Sequence, residues 1–405
     1  MIDAASLQAR GVVSRHCDRV RKPAETLAAL RPRLMDFGVT RLARLTGLDE
    51  VGIPVWAAVR PNAATLAVSQ GKGVDDAAAA ASAMMEAIEV ATAERLDPPG
   101  LTLSPQAMAA SGRRATLLTE LIRVDAAPPA PGEPLGWIEG FDVMADASVW
   151  VPHEAVRLGV EAARARYWQS TDGLASGNVL WEAAFHGLCE RIERDALTLW
   201  SLCGDAEVGG RCVDPRAFGD PELGALSAKI DAAGLRLRLF DISTDVAVPV
   251  CFAAISPPLD SDPARWRHFD LQSGSGCHPD AARAAIRAVT EAAQSRLTAI
   301  SGARDDFDPG EYRARIALDL LPFVQAEPSA RTPALAAVVA PADYIGWMAS
   351  RLRAVGVGSA IVVPLEAGER GFAVAKALVS DLETVPGARR FPLGPRALRA
   401  KLARR

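Results

Sequence analysis

The chain has 405 residues, 49% of them apolar and 23% charged, with a formal net charge of −4 and a pI near 5.9. This balance belongs to a folded protein with a sizeable core, and it gives no general attraction to nucleic acid or anionic lipid. No apolar stretch reaches membrane-spanning length, and Asp3 and Arg10 precede any apolar run, so a signal-peptide core is lacking and the cytoplasm is the expected location.

In chain order, an irregular basic N-terminus carrying Arg15, Arg19, Arg21 and Lys22 precedes a predicted helix over residues 24–37. Strands are predicted over 53–59 and 65–69, with Pro61 and Asn62 as the turn between them. Asp75 or Asp76 then caps an alanine-rich helix over 75–96. Prolines at 128, 129, 131 and 134 mark a loop before a predicted hairpin of 137–143 and 148–152. A second helix covers 178–193 and a third 287–294. Strand-like runs recur at 235–241, 248–255, 336–339, 360–363 and 372–378, interleaved with helical segments and punctuated by Pro257, Pro258 and the stretch 306–310. The expected class is α/β, in one domain with no repeat of fixed period and no linker that divides it. The terminal stretch 396–405 is locally basic and reads as a solvated tail, with a docking site for an acidic partner as the alternative.

Residues three or four apart share a face of an α-helix. Ser82, Glu86 and Glu89 therefore project together from the first long helix, as do Asn178, Glu182, His186, Glu190 and Glu193 from the second and Arg287, Glu291 and Gln294 from the third. Neighbours such as Ala83, Met84, Ala87, Ile88, Leu188 and Ile192 make these helices amphipathic. Like charges stacked on one face cost roughly a few tenths of a kcal/mol per pair, so the acids call for compensating charge. Hard divalent cations, chiefly Mg²⁺, would supply it and would hold a polyphosphate against carboxylates that otherwise repel it. Three solvated helix faces are the competing reading.

Several absences narrow the chemistry. Gly71, Lys72 and Gly73 lack the first glycine and final hydroxyl of a Walker A loop, and read either as an ordinary strand-to-helix turn or as a place where backbone N–H groups and a lysine meet an anion. Gly274, Ser275 and Gly276 lack the third glycine of a dinucleotide fingerprint. The histidines at 16, 153, 186, 268 and 278 are scattered, and the cysteines at 17, 189, 203, 212, 251 and 277 form no C-x-x-C pair, which argues against zinc and fits reduced thiols. Cys189 reads as a small buried side chain, and His186 as a packing or indirectly bonded residue in preference to a ligand or proton carrier.

Taken together, the wording is specific: Ser82-x-x-x-Glu86-x-x-Glu89, then Asn178-x-x-x-Glu182-x-x-x-His186-Gly187-x-x-Glu190-x-x-Glu193-Arg194, then Arg287-Ala288-x-Thr290-Glu291-Ala292-x-Gln294-Ser295-Arg296. Around it stand Gly38-x-Thr40-Arg41, Thr46-Gly47-Leu48-Asp49, Gly52-Ile53-Pro54-Val55, Arg60-Pro61-Asn62, Gln70-Gly71-Lys72-Gly73 and Ser301-Gly302-Ala303-Arg304-Asp305-Asp306. This set resembles the YcaO family over roughly residues 20–385, leaving a basic C-terminal tail over about 386–405.

The resemblance implies a YcaO-type ATP-binding α/β fold, with mixed sheets and acidic helices lining the nucleotide site. It implies ATP and Mg²⁺ as cofactors, with Glu86, Glu89, Glu182, Glu190, Glu193 and Glu291 as metal- and phosphate-organising acids. Glu86, Glu182, Glu190 and Glu291 stand nearest the chemistry in that scheme, while Ser82, Asn178, Glu182, Arg194, Arg287 and Lys72 bind the nucleotide. The implied reaction is activation of a peptide backbone amide: a nucleophile adds to the carbonyl carbon, the amide oxygen takes the γ-phosphoryl group, and phosphate leaves.

Two departures matter. The family often ends its last core strand with Pro-Gly-Leu-Glu, where this chain reads Ser380-Asp381-Leu382-Glu383. Azoline-forming members typically finish in an alternating proline motif, where this chain reads Phe391-Pro392-Leu393-Gly394-Pro395 and then the basic tail. The expected activity is therefore thioamidation of a ribosomally made peptide or protein, with a sulfide donor and a TfuA-like partner. The alternatives are azoline formation from Cys, Ser or Thr, and a non-catalytic nucleotide-binding partner. A homodimer is a family-level expectation.

Overall fold

Proline and glycine set the first boundaries. Pro23 opens helix α1 (Pro23–Leu30), and Pro32 removes a backbone donor, so the chain continues as a 3₁₀ turn, Arg31–Phe37, ending at Gly38 with φ 76°. The expected helix over 24–37 is thus two pieces. The computed structural model describes residues 3–8, 18–159, 165–259, 266–304, 308–329, 344–384 and 393–403. Arg15, His16, Cys17, Asp305, Asp306, Phe391, Pro392 and the strand expected at 336–339 lie outside the described residues.

The first sheet is β1 (Arg41–Arg44), β2 (Val55–Val59) and β3 (Val68–Lys72), antiparallel in that order. The strand expected at 65–69 begins later and runs through Gly71 and Lys72, which pair with Trp56 and Val55. Helix α2 (Asp76–Glu94) follows, with Asp75 accepting from the Ala78 N–H at 2.7 Å. Asp76 is instead held by Arg44 at 2.8 Å and the Trp56 indole N–H at 3.0 Å. A Cβ on Gly71 would lie 1.9 Å from the Ala83 nitrogen, and one on Gly73 would lie 2.6 Å from the Ala78 Cβ. The two glycines are therefore a contact surface for the alanine-rich helix, a packing role on either side of Lys72.

Next come β4 (Leu101–Leu103), α3 (Pro105–Ala110), β5 (Leu135–Asp142), β6 (Ala147–Pro152) and β7 (Leu174–Gly177), then α4 (Leu180–Trp200). The hairpin expected at 137–152 is β5 with β6, in register from Trp137 opposite Pro152 to Asp142 opposite Ala147. Strand β7, Leu-Ala-Ser-Gly, has no β-branched residue and escaped the sequence reading.

The chain continues through α5 (Asp205–Gly210), β8 (Cys212–Val213), α6 (Pro221–Ala232), β9 (Arg236–Asp241), β10 (Val250–Ser256), β11 (Gln272–Cys277), α7 (Ala281–Ser301) and α8 (Leu321–Gln325). It ends with α9 (Tyr344–Ala354), β12 (Ala360–Ala367), β13 (Ala373–Val379) and α10 (Pro395–Ala403). Strands β11, β10, β9 and β8 form a four-stranded antiparallel sheet. Strands β4, β5, β12, β13 and β7 form a larger one, with β6 on β5.

The chain falls into two compact units. One comprises Pro23–Ala87 and Ala196–Val339 and holds the first two sheets; the other comprises Met1–Lys22, Ile88–Asp195 and Ala340–Arg405 and holds the six-stranded sheet. In the first, Leu223, Leu226 and Ile230 of α6 and Ala284, Ala288, Val289 and Ala292 of α7 pack on Leu239, Ala253 and Ile255. Each fully buried Leu or Ile in such a layer contributes roughly 1.5–3 kcal/mol. Gly274 and Gly276 of β11, the weak dinucleotide motif, lie against α7: a Cβ on either would sit 2.3 Å from helix backbone atoms at Ala292 or Ala284.

In the second unit, the basic terminus is docked as well as solvated. Arg396 makes a bidentate pair with the fully buried Asp195, both contacts at 2.9 Å, while Glu383 accepts from Gly394 N at 2.8 Å and Ala397 N at 2.9 Å and so caps α10. Glu383 belongs to the stretch where the family wording departs. Cys189 is buried with its sulfur 3.9 Å from that of Met348, in keeping with a packing role. Among the described residues no helix is long and apolar enough to cross a membrane.

Replacing Gly71 by Ala should lower stability by about 1–3 kcal/mol, because the new methyl must displace helix backbone. Gly47→Ala, where a Cβ meets nothing within 4 Å, should change little. Urea midpoints of the two variants check this, and equal midpoints would refute the packing argument.

Candidate active site

The three motif helices show the same burial pattern. On α2 the half-buried positions Ser82, Glu86 and Glu89 stand among fully buried neighbours; on α4 they are His186, Glu190 and Arg194; on α7 they are Arg287, Glu291 and Gln294. None of these stripes is a freely solvated face. The stripes are thus not the three solvated faces that the spacing also allowed, and their partly desolvated carboxylates require compensation.

Within the unit that holds the first two sheets, Lys72 at the end of β3 is ion-paired with Glu291 of α7, each side chain about a quarter exposed. The other oxygen of Glu291 accepts from the Ser275 N–H and hydroxyl at 3.4 Å each. Gln294 donates to the Gln70 carbonyl at 3.4 Å, and Thr298 bonds the Gln70 side chain. Further motif residues hold the frame: Asp49 pairs with Arg296 at 2.7 Å, Thr46 Oγ1 accepts from Val55 N at 3.1 Å, and buried Arg60 donates to the Phe37 carbonyl at 3.2 Å. His278 is buried, its Nδ1 accepting from Asp280 N at 2.9 Å. Desolvation, reinforced by the Arg287 charge, pushes its pKa down to about 3, so it is neutral across the physiological range.

Within the other unit, the turn from β7 into α4 is built around Glu182, which is fully buried. Its carboxylate accepts from Val20 N at 2.7 Å, Arg19 at 3.1 Å, Asn178 N at 2.8 Å and the Asn178 amide at 3.0 Å. Gly177 is required there, since a Cβ would come within 2.4 Å of the Glu182 Cβ. Glu190 accepts from Gly173 N at 3.2 Å and Arg194 at 3.0 Å, and Arg194 also faces Asp172 at 3.3 Å and Glu193 at 3.8 Å. Desolvation raises the Glu190 pKa, only partly offset by Arg194, with Asp172 and Glu193 adding like-charge repulsion. For Asp172, desolvation is outweighed by Arg194 and Arg191, and the pKa falls. His186 lies half-buried with its ring 5.0 Å from Phe185, a packing contact.

The sequence reading missed Asp172, Lys376 and Ser275. Asp172 lies in the loop before a strand too short to notice, and Ser275 lies between the packing glycines. Lys376 had one signal, a lone charge inside the apolar run Ala373–Val379. Arg19, named only within a basic stretch, reaches the motif together with the Val20 backbone N–H.

A family model described as YcaO cyclodehydratase, ATP- and Mg²⁺-binding, matches residues 70–383. An uncharacterized protein encoded in the tfuA 3′ region of Rhizobium leguminosarum bv. trifolii is 40% identical over 395 residues, 95% of this chain and 93% of that one. An uncharacterized protein of Methanothermobacter thermautotrophicus is 39% identical over 300 residues, covering 73% of this chain and 74% of its own length. Among solved structures, YcaO from Methanopyrus kandleri bound with AMPPCP and Mg²⁺ superposes with a TM-score of 0.71 at 21% identity, covering 96% of this chain and 98% of that one. A heterocyclase in complex with substrate and cofactor gives a TM-score of 0.71 at 18% identity over 93% of this chain, which spans 55% of that protein. Fold and family model together define an ATP- and Mg²⁺-binding, cyclodehydratase-like class of enzyme. The chain belongs to the YcaO family.

Because the folded pKa of His278 is depressed below its ordinary value of 6.5, its contribution to stability is complete above that value and is lost as pH falls from about 6.5 toward about 3. The pH dependence of the urea midpoint in that window should flatten in His278→Gln. An unchanged slope would show that this histidine is not the group responsible.

Proposed function

We propose that this protein uses ATP to activate a peptide backbone amide and that sulfide is the nucleophile, giving a thioamide in a ribosomally made peptide or protein. The observation that carries the choice is the relative from a tfuA 3′ region, matched along nearly the full length of both chains. That neighbourhood supports a TfuA-like partner in sulfur delivery, and the reading places the enzyme in the cytoplasm as one catalytic domain that forms a homodimer. The amide oxygen is a poor leaving group; taking the γ-phosphoryl group of ATP lets it depart as phosphate while the nucleophile keeps the carbonyl carbon.

The donor set fits Mg²⁺. Glu86, Glu89, Glu182, Glu190, Glu193 and Glu291 offer only carboxylate oxygens, and Mg²⁺ takes oxygen ligands while retaining waters and phosphate oxygens. Mg²⁺ is commonly held through one or two carboxylates with waters and phosphate oxygens completing its shell, which is compatible with the described residues placing no group of three or more His, Cys, Asp and Glu side chains for a metal ion. Bound Mg²⁺ would neutralise charge on the transferring phosphoryl group. The chain's own cations have complementary tasks. Lys72, Arg194 and Arg287 would contact phosphate, Ser82 and Asn178 would orient the nucleotide, and buried Glu182 would fix Arg19 and Asn178 around it.

Glu190→Gln and Glu182→Gln should each lower Mg²⁺-dependent ATP turnover by about 10–100-fold, the scale seen when a metal-supporting group is removed, with the circular dichroism spectrum unchanged. Wild-type turnover in both would undo the site assignment. The product is decided by mass spectrometry of proteins from cells with and without the gene, grown with heavy sulfur. Labelled sulfur in a backbone amide that vanishes with the gene is the expected result. A gene-dependent loss of water would move the assignment to azoline formation, in line with the word cyclodehydratase in the family description.

A further inference from the structure

Lys376 lies on β13, an interior strand paired with β12 at Val363 and with β7 at Leu174, and is 5% exposed. A lysine in an apolar interior strand is costly unless its charge is used. Its ammonium donates to the Ser170 carbonyl. The loop it reaches is bonded at every step: Ser170 Oγ accepts from Asp172 N at 3.0 Å, Gly173 N donates to Glu190 at 3.2 Å, and the Gly173 carbonyl accepts from Ala377 N at 2.7 Å. Gly173 has φ 78°, and a Cβ there would lie 2.2 Å from the Ala377 carbonyl, so strand and loop are in direct contact. Asp172 and Glu190 converge on Arg194 at 3.3 and 3.0 Å.

We propose that Lys376 is a positioning residue, a fixed internal counter-charge beneath Asp172 and Glu190 that lets the acidic face accept Mg²⁺ only together with a nucleotide polyphosphate. This inference rests on the Mg²⁺–ATP reading of the site. Its ammonium offsets part of the carboxylate charge, which weakens the attraction for a bare dication, and the same positive charge favours the anionic triphosphate. Burial pushes the Lys376 pKa down to about 8, with the Asp172 and Glu190 charges opposing that fall, so the ammonium keeps its charge at neutral pH. No proton transfer is required of the lysine.

Lys376→Met removes the charge and nearly preserves the volume; Lys376→Gln also keeps an N–H donor for Ser170. Calorimetry on the full chain, with MgCl₂ alone and then with ATP in saturating MgCl₂, should show opposite shifts. Mg²⁺ alone should bind about tenfold more tightly and ATP about tenfold more weakly than in wild type, the scale of one partly desolvated charge. A merely structural lysine would weaken both. Both affinities falling together, neither changing, or failure of both variants to fold would overturn the proposal. Wild-type protein that binds no ATP in MgCl₂ would instead overturn the reading of the site, which keeps the two failures apart.

Discussion

Carboxylates on half-buried helix faces must be matched by positive charge, and much of this protein is arranged to meet that requirement. An isolated ionised group taken out of water carries a penalty of several kcal/mol, roughly, far more than the few tenths that separate exposed like charges. The chain answers locally. Lys72 meets Glu291, Arg19 meets Glu182, and Arg194 is shared by Glu190, Glu193 and Asp172. These cations stand on the acids that the family wording assigns to metal and phosphate, so the same oxygens serve folding and, in the proposed reading, ligand binding.

Close packing of small residues makes the placement accurate. Helix α2 meets Gly71 and Gly73 through alanines, and α7 meets Gly274 and Gly276 in the same way. A helix that touches strand backbone has little freedom to shift, so Glu291 and Lys72 are fixed by contacts that carry no chemistry of their own. Gly177 and Gly173 do comparable work at the start and along the flank of α4. The glycines that suggest phosphate loops when read along the chain are the seams of the scaffold.

Conserving charge balance also explains several motif residues that touch no acid stripe. Asp49 holds Arg296, Glu383 caps α10, and Asp195 pairs with Arg396 inside the fold. Asp195 and Arg396 bring the basic terminus back to α4, the helix that carries Glu182, Glu190 and Glu193. A buried pair of this kind is a weak source of stability relative to apolar side chains, yet it fixes which segment docks where.

The sequence by itself determined the helix periodicity, the acid stripes and the family, because spacing along a helix translates directly into a shared face. It also located the β5–β6 hairpin and the strands that became β9, β10, β12 and β13, where apolar runs are long and turn residues bound them. Tertiary structure alone decided that Gly71 and Lys72 end a strand instead of forming a loop, and that β7 and β11 are strands at all. Each is fixed by strand pairing and by close packing on the helix that follows, Gly71 on α2, Gly177 on α4 and Gly274 and Gly276 on α7, whereas Leu-Ala-Ser-Gly or Gly-Ser-Gly carries no intrinsic strand signal. Asp172 became visible only in three dimensions, and Lys376 showed in the sequence only as a lone charge inside an apolar run, with nothing to say what it faces. They lie 204 residues apart in sequence, and only the pairing of β7 with β13 brings their charges into one neighbourhood.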